Sequence, residues 1–300
     1  MLSELGTLKP TCICVDGSEN IYISDKEAHV IIKTNLLGQG QIISGQLNTS
    51  GNNLSEQVTS RDAFLNEPHG IDIDESGNIY LANTGLNQIL RIGIDGTTVR
   101  IAGNEYGAVG NQDGNAHTSE LHSPVDIAVE GRRIFFSDYE NNSIKQITTG
   151  THETITICGN GEPGEQNGKI NQSTLNHPTG ICLSPNGDLF IADSFNHKIK
   201  RLNKNKELLE FSGNGNFGTA IGNSQECEFQ NIKFITSDCQ GNIYAIDAND
   251  TNQNTRVIKL NDNGGSNYLL KHPLENTFFI TDTYFTKSNH SYSIAYLFEP

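Results

Sequence analysis

The sequence lacks the features that mark membrane, secreted and nucleic-acid-binding proteins. It has no run of about 18 apolar residues, so no membrane span is predicted. The first ten residues lack a basic start followed by an apolar core, so we expect no secretory signal and a cytoplasmic location. Basic residues are few: 20 Lys and Arg oppose 35 Asp and Glu, for a net charge of −15. Because nucleic-acid affinity depends largely on neutralising phosphates, we expect no nucleic-acid binding.

The sequence also lacks the motifs of common catalytic and metal centres. It has six cysteines but no C-x-x-C pair, so neither a structural zinc site nor thioredoxin-type redox chemistry is predicted. The G-x-S-x-G, H-E-x-x-H and phosphate-binding glycine motifs do not occur in the structural context that each requires. We therefore expect no cofactor, although a divalent metal stays open.

What the sequence does contain is a repeat. The clearest copies are residues 68–83 and 178–193, and five copies begin at Pro10, Pro68, Pro124, Pro178 and Ile232. Subtraction of these numbers gives steps of 58, 56, 54 and 54 residues. Each copy has an apolar strand, a turn, a second strand ending in Asp or Asn, and a third strand. A period of this size, built from strands and turns, predicts one β-propeller blade per copy.

The fourth copy shows how one blade is built. Residues 180–184 suit a buried innermost strand, and residues 185–188 form a tight turn in which Gly187 supplies a positive φ. Residues 189–193 are rich in strand-forming types, and residues 198–202 alternate charged and apolar, as a half-exposed third strand does. Residues 208–211 complete a four-stranded blade.

The predicted fold is an all-β, single propeller domain over residues 1–300. We expect six four-stranded blades, beginning near residues 10, 68, 124, 178, 232 and 273. Residues 277–282 and 291–298 are predicted strands of a shortened last blade, and residues 2–8 would add its outer strand. Such closure removes exposed sheet edges. Five blades with an appended hairpin is the alternative.

The fourth copy, PTGICLSPNGDLFIADSFNHKI, resembles an NHL repeat, including the Asn196-His197 pair that gives the family part of its name. The Gly-Asn-Gly segments between copies resemble the long-loop variety of bacterial and teneurin-like proteins. The likeness covers roughly Pro10 to Leu270 and implies an NHL propeller. NHL propellers include RNA binders, protein-interaction platforms and an amidating lyase, so the resemblance does not select a function.

Three sets of repeated residues are interpreted as structural. The acids that end the second strands are predicted to cap loop amides; they are Asp25, Asp138, Asp193 and Asp247, with Asn83 in the second copy. The residues aligned with His197 are predicted to be loop hydrogen-bonders, and they are His29, Asn87 and Asn142. Apolar residues at the ends of the long loops are predicted to plug the crevices between blades: Leu65, Leu121, Leu175 and Phe229.

Ligand-binding candidates come from the predicted geometry of a propeller face. Loops that lead into the innermost strands share one face with loops between second and third strands, around the mouth of the central channel. A concave mouth lined by a few polar groups is the default ligand site. The candidates on this face are Thr11, His69, Tyr139, Thr179, Phe195 and Lys233.

Two acids depart from their own repeat positions. Asp126 stands where the other copies have Cys, Gly, Gly and Phe, and Asp72 stands where they have Cys, Ala, Cys and Thr. With His69 they would form a carboxylate–imidazole cluster able to bind a cation or move a proton. The alternative is that Asp126 bonds backbone amides of a neighbouring blade. A zinc site would need convergence of loop histidines such as His117, His122 and His177.

Two functions follow as hypotheses. The first is a monomeric binding propeller that holds a protein, peptide or small molecule on its loop-rich face, with cationic partners favoured by the acidic surface. The second is an enzyme, a lyase, hydrolase or cyclase that acts at the channel mouth through Asp126, Asp72 and His69. The state of that mouth, open and polar or plugged by apolar side chains, distinguishes them.

Overall fold

The computed structural model describes residues 8–54, 57–170, 172–249 and 254–272. These residues are almost entirely antiparallel strands and turns. The helices among them are three single-turn 3-10 helices, Thr84–Leu86, Tyr139–Asn141 and Ser194–Asn196. In this described part, no helix has the length and apolar character needed to cross a membrane.

The chain divides into two compact units. The first comprises Met1–Asn141 and Lys145–Thr156, and the second comprises Asn142–Ile144 and Ile157–Pro300. The first unit contains two complete sheets and most of a third. Their strands are β1 (Pro10–Val15), β2 (Ile21–Asp25), β3 (Val30–Thr34), β4 (Gly40–Gly45), β5 (Val58–Thr59), β6 (Pro68–Ile73), β7 (Ile79–Asn83), β8 (Gln88–Ile92), β9 (Thr97–Ala102), β10 (Pro124–Glu130), β11 (Arg133–Asp138), β12 (Ser143–Thr148) and β13 (Glu153–Cys158).

The second unit contains the fourth and fifth sheets. Their strands are β14 (Gly168–Lys169), β15 (Pro178–Leu183), β16 (Leu189–Asp193), β17 (Lys198–Leu202), β18 (Glu207–Ser212), β19 (Ile232–Ser237), β20 (Ile243–Asn249), β21 (Asn254–Leu260) and β22 (Ser266–His272). In every sheet four strands follow one another in chain order. The two-residue strands β5 and β14 come from the long loops and pair with the outer strands β9 and β18.

Each sheet is one propeller blade, so the all-β propeller prediction is confirmed, and the described residues form five blades. This number agrees with the five-blade alternative. The inner strands begin at Pro10, Pro68, Pro124, Pro178 and Ile232, the first residues of the five repeat copies, so the fourth begins two residues before the predicted 180–184. The predicted strands 277–282 and 291–298 and the closing segment 2–8 lie outside the described residues, so a sixth blade is not confirmed. A single domain over residues 1–300 stays a prediction.

Apolar residues between the blades form the core. In the first unit, Leu121 packs with Ile101 and Phe136, and in the second unit, Phe229 packs with Ile232 and Phe211. All four predicted plug residues are fully buried: Leu65, Leu121, Leu175 and Phe229. Complete burial of such side chains stabilises the fold by about 1.5–3 kcal/mol each, so the end of every long loop is held by the blades that it joins.

An aspartate organises the turn between the first and second strands in three blades. Asp74 Oδ1 accepts hydrogen bonds from the backbone N–H groups of Ser76 and Asn78, both at 2.9 Å. Its Oδ2 accepts from Asn78 Nδ2 at 2.9 Å and from the Tyr80 hydroxyl at 3.0 Å. Asp16 and Asp238 accept the same four kinds of bond in the first and fifth blades. The motif D-x-x-G-N-I-Y therefore forms a turn closed by its own side chains. In the first blade Glu19 stands at the glycine position of this motif.

The tyrosine of this turn gives a test. We expect Tyr80→Phe to lower the free energy of unfolding by about 1 kcal/mol, because the buried ring keeps its packing while Asp74 loses one hydrogen bond. Urea denaturation measures the change. Tyr106→Phe removes the same hydroxyl from a side chain that is 81% exposed, and this control should stay within about 0.5 kcal/mol of the parent protein. Equal effects of the two substitutions would contradict the assignment.

Candidate functional site

Two consecutive backbone N–H groups hold the chain where it enters three of the five inner strands, β6, β10 and β15. Before β10, the His122 N–H donates to Asp138 Oδ1 of the same blade at 2.8 Å. The next residue, Ser123, donates its N–H to Asn87 Oδ1 of the preceding blade at 2.7 Å. We call such a pair of residues a junction pair. Because its two amides bond to two different blades, it sets the position of one blade against the next.

The same arrangement occurs before β15 and β6. Before β15, Asn176 donates to Asp193 at 2.7 Å and His177 donates to Asn142 at 2.9 Å. Before β6, the acceptors are Asn83 Oδ1 at 2.8 Å and His29 Nδ1 at 3.1 Å. The second residue of each junction pair has a positive φ: 48° at Glu67, 55° at Ser123 and 52° at His177. Few non-glycine residues adopt this conformation, and here the hydrogen bonds hold it.

Both hydrogen-bonding predictions are therefore confirmed at these positions. The acids that end the second strands accept loop amides, and Asp25 and Asp247 do so in the first and fifth blades. The residues aligned with His197 bond to loops, as His29, Asn87 and Asn142 show. The repeated acids are structural.

The second unit carries two exposed aromatic rings that contact histidine side chains. Phe195 is 51% exposed and stacks on His177, with ring centroids 4.3 Å apart. Phe217 is 59% exposed and meets His197 edge to face at 5.6 Å. We call these four residues the aromatic patch. His177 belongs to a junction pair, and its Nδ1 lies 2.8 Å from Asn176 Oδ1, so the ring under Phe195 is held in place.

Sequence reasoning selected Phe195 and missed Phe217. Phe217 forms a parallel bridge with the plug residue Phe229, as Val109 does with Leu121 and Pro163 does with Leu175. The signal was an apolar residue directly before the third glycine in each of the last three long loops. Val109 is likewise exposed in the first unit, beside the exposed ring of Tyr106.

The three catalytic candidates lie on neighbouring inner strands of the first unit. Asp72 on β6 is buried, and its carboxylate accepts the N–H of Ile73 and that of Val129 on β10, both at 2.7 Å. Asp126 on β10 is also buried and accepts the Ile127 N–H at 2.9 Å. Asp72 thus makes the bond to a neighbouring blade that was expected of Asp126.

Asp126 has its own contact with the second blade. A Cβ added at Gly70 on β6 would lie 2.5 Å from the Asp126 Cα and 2.6 Å from its Oδ1. Gly70 therefore lets β6 and β10 approach closely, and the Asp126 carboxylate packs into that approach. His69, which precedes Gly70, is half-buried, and its carbonyl accepts a hydrogen bond from the Ser24 hydroxyl of the first blade.

The other ligand-binding candidates differ in how far they are engaged within the fold. Thr11 is buried, and its hydroxyl accepts the Lys26 N–H at 3.3 Å. The Thr179 hydroxyl bonds to the Ile232 carbonyl at 2.6 Å. Burial raises the pKa of Tyr139, with the Glu140 charge adding to the effect. Lys233 is half-buried on β19, and Phe195 has the most exposed side chain of the set.

Metal ligands do not gather in the part of the chain that the structure describes. There, no group of three or more His, Cys, Asp or Glu side chains is arranged to hold an ion. His117, His122 and His177 therefore do not form the convergent set that a zinc site needs. Nor do His69, Asp72 and Asp126 form such a group.

Buried basic side chains lie near several of the acids that end the second strands. Lys145 in the third blade is fully buried, and its Nζ donates to Asp113 Oδ1 at 2.7 Å. Burial raises the pKa of Asp138 to about 7, although the Asn141 amide, the Lys145 charge and the His122 N–H act to lower it. The fifth blade has a direct pair, Asp247 with Arg256, at 2.7 Å.

The second blade has neutral residues at both of these positions. Asn83 stands where the third blade has Asp138, and Leu90, seven residues later, stands where it has Lys145. The amide still accepts the junction N–H, from Asn66. The acid and the cation have been replaced together, as expected for a buried pair in which either charge alone is costly.

The sequence profile of the teneurin NHL domain matches residues 9–264 of this chain. The chloroplastic protein Suppressor of quenching 1 of Arabidopsis thaliana is 24% identical over 270 residues, which cover 84% of this chain and 25% of that protein. NHL repeat-containing protein 2 of Gallus gallus is 29% identical over 156 residues, 48% of this chain and 22% of that protein. The chain spans about a quarter of the length of these curated relatives.

Solved structures of two enzymes share the fold. A catalytically inactive virginiamycin B lyase of Staphylococcus aureus with quinupristin has a TM-score of 0.58 at 16% identity, covering 88% of this chain and 70% of that one. A gluconolactonase of Xanthomonas campestris has a TM-score of 0.61 at 13% identity, covering 91% and 80%. At these identities the similarity is one of fold, and it assigns no chemistry.

The raised pKa of Asp138 predicts a pH dependence of stability. Its folded-state pKa of about 7 lies above the unfolded value of about 4, so its contribution is fully present below pH 4 and is lost as the pH rises through 7. Asp138→Asn removes this titration, so the melting temperature of the variant relative to the parent should rise between pH 4.5 and 7.5. Circular dichroism melts measure it. The exposed Glu75→Gln is the control, and a difference that is constant with pH would contradict the prediction.

The neutral pair of the second blade suggests a double-mutant cycle. Lys145→Leu leaves Asp138 without its nearby cation and should lower the free energy of unfolding by roughly 3 kcal/mol at pH 7. Adding Asp138→Asn recreates Asn83 and Leu90, and should recover part of that loss, about 0.5–3 kcal/mol. Urea denaturation measures both. Adding Glu153→Gln instead is the control, since Glu153 is exposed at the start of β13. If the stability losses from Lys145→Leu and Asp138→Asn simply add, the energetic coupling of these two residues is refuted.

Proposed function

The chain belongs to the teneurin NHL domain family, and on that basis we propose that it is a binding propeller whose aromatic patch holds a protein or peptide partner. The observation that carries this proposal is the pair of exposed ring contacts, Phe195 on His177 and Phe217 on His197. Aromatic side chains are enriched in interfaces and dominate their energetics. The location of the protein in the cytoplasm and its monomeric state stay predictions.

Two features favour binding by this patch. The Phe195 ring is already stacked on His177, whose N–H is bonded to Asn142, so little conformational entropy is lost when a partner packs on it. The exposed carboxylate of Glu165 pairs with Lys198, the residue after His197, at 3.2 Å. With a net charge of −15, the protein attracts partners of opposite sign. The partner that fits is a peptide segment with basic residues flanking an apolar or aromatic residue.

Binding is preferred to catalysis because of what the acids on the inner strands do. Asp72 and Asp126 accept backbone N–H groups on their own or a neighbouring strand. These bonds give both acids a structural reason to depart from the repeat. An enzyme that uses Asp126, Asp72 and His69 remains the alternative proposal, and the similarity to a lyase and a gluconolactonase adds only the shared fold.

A random peptide library displayed on phage tests the proposal with the full chain as bait. We expect the selected peptides to be rich in Lys or Arg beside an apolar residue. Phe195→Ala and Phe217→Ala should each weaken binding of the synthetic peptides by roughly tenfold or more, because each removes a ring that a partner would cover. Isothermal titration calorimetry measures the affinities.

Leu37→Ala is the matched control. Leu37 is an exposed apolar side chain in the turn between β3 and β4 of the first unit, far along the chain from the aromatic patch. Its removal should leave peptide affinity unchanged. Peptides that bind both phenylalanine variants as tightly as the parent protein, or that lose affinity equally in the Leu37 variant, would rule out the patch as the binding site.

A further inference from the structure

A groove of about 450 Å³ lies in the first unit, between the first and second blades. Its lining includes Gly77 and Gly96, which belong to turns that follow a first and a third strand. These turns are at the opposite end of the strands from the junction pairs. The volume of the groove is in the range of small-molecule sites.

Part of the lining of the groove is apolar. Ile79 and Ile92 of the second blade are buried at its base, and Ile42 and Ile43 of the first blade are half-buried along one side. Ile94 is 75% exposed at the edge, and a Cβ at Gly77 would lie 3.0 Å from its methyl group. These five isoleucines offer an aliphatic surface that the fold leaves partly open.

A bulge in β4 places two consecutive isoleucines on one side. Ile31 pairs with Ser44 but the next residue, Ile32, pairs with Ile42, so Ile43 is an extra residue in the strand. In a regular strand, consecutive side chains point to opposite faces. A bulge breaks that alternation and redirects side chains, and here both isoleucines line the groove.

The other wall is held by buried hydroxyl groups. Ser60 follows the short strand β5, and its N–H donates to the Gly96 carbonyl at 2.8 Å. The Thr98 hydroxyl donates to Ser60 Oγ at 3.0 Å and lies 3.3 Å from the Ser44 hydroxyl of the first blade. This chain of hydroxyls joins both blades behind the groove, so the wall that carries Arg61 is a built part of the fold.

Two cations line this apolar surface. Lys33 has its Nζ 5.1 Å from the centre of the Tyr22 ring, and Arg61 is exposed. Within the residues that the structure describes, all ion pairs involve other basic residues. The neighbouring acids are engaged elsewhere: Asp16 with the Tyr22 hydroxyl and Asp62 with Thr59. Lys33 and Arg61 thus have no carboxylate partner among the described residues.

We propose that this groove binds a small amphipathic monoanion, an aliphatic chain that ends in a carboxylate. The aliphatic chain packs on the isoleucines, and the carboxylate lies between Lys33 and Arg61. Arg presents a planar fork that matches a carboxylate, while Lys acts as a point charge.

Dodecanoate, below its micelle concentration, is the probe. We expect its titration into the full chain with ¹³C-labelled isoleucine methyl groups to shift the signals of Ile42, Ile43, Ile79, Ile92 and Ile94. Isoleucines buried in the second unit, such as Ile235 and Ile258, should not move. Lys33→Gln and Arg61→Gln should each weaken binding by roughly two- to fivefold, and the double variant by about tenfold, as expected for exposed charge pairs.

Two controls separate this site from general adsorption. Lys204→Gln makes the same charge change at an exposed position in the second unit and should leave the affinity unchanged. Dodecyltrimethylammonium has the same chain with the opposite charge and should bind at least tenfold more weakly. The proposal is overturned if the shifts fall on other isoleucines, if the cation binds as well as the anion, or if the groove variants match Lys204→Gln.

Discussion

The structure depends on two adjacent backbone N–H groups at the start of the second, third and fourth inner strands. One donates to the side chain that ends the second strand of its own blade, and the other donates to a side chain of the blade before it. A buried hydrogen bond of this kind contributes about 1 kcal/mol, and a donor left unpaired costs more. The two bonds share neighbouring residues, so neither blade can shift without breaking one of them. They repeat at three junctions within the two units.

These bonds also bear on the long loops. A long loop is ordinarily a mobile segment, but here its far end is held by a fully buried plug residue, and the loop before β15 is held by its junction pair as well. His177 of that pair supports the exposed ring of Phe195, which lies in the 3-10 helix between β16 and β17. Phe217, on the next long loop, is bridged to the plug residue Phe229. The groove between the first two blades uses a different device, a bulge in β4 and a line of buried hydroxyls, so the two surfaces are built independently.

Much of this could be predicted from the repeat alone. The second and third strands of the fourth blade, Leu189–Asp193 and Lys198–Leu202, have the predicted bounds, because alternation and turn residues mark them. The capping role of Asp193 followed from its recurrence. The strands β5 and β14 could not be predicted, since two residues carry no periodicity. The exposure of Phe217 could not be predicted either, because an apolar residue before a glycine gives the same sequence pattern whether it is buried or exposed. The departure of Asp72 from its repeat position indicated only that it has some local role. The structure shows that role to be a hydrogen bond accepted from the Val129 N–H.

The junction pairs also mark the boundary between the strands of a blade and the preceding long loop, whose length varies. Between outer and inner strands the chain has 22, 21, 19 and 19 residues in successive blades, counted between Gly45 and Pro68, Ala102 and Pro124, Cys158 and Pro178, and Ser212 and Ile232. The junctions after the first three loops keep the same hydrogen-bonding plan in spite of these differences. Each of these three loops can therefore change in length and sequence while its junction with the next inner strand is kept. Divergence or design can alter these loops one at a time without changing how the blades that they join fit together.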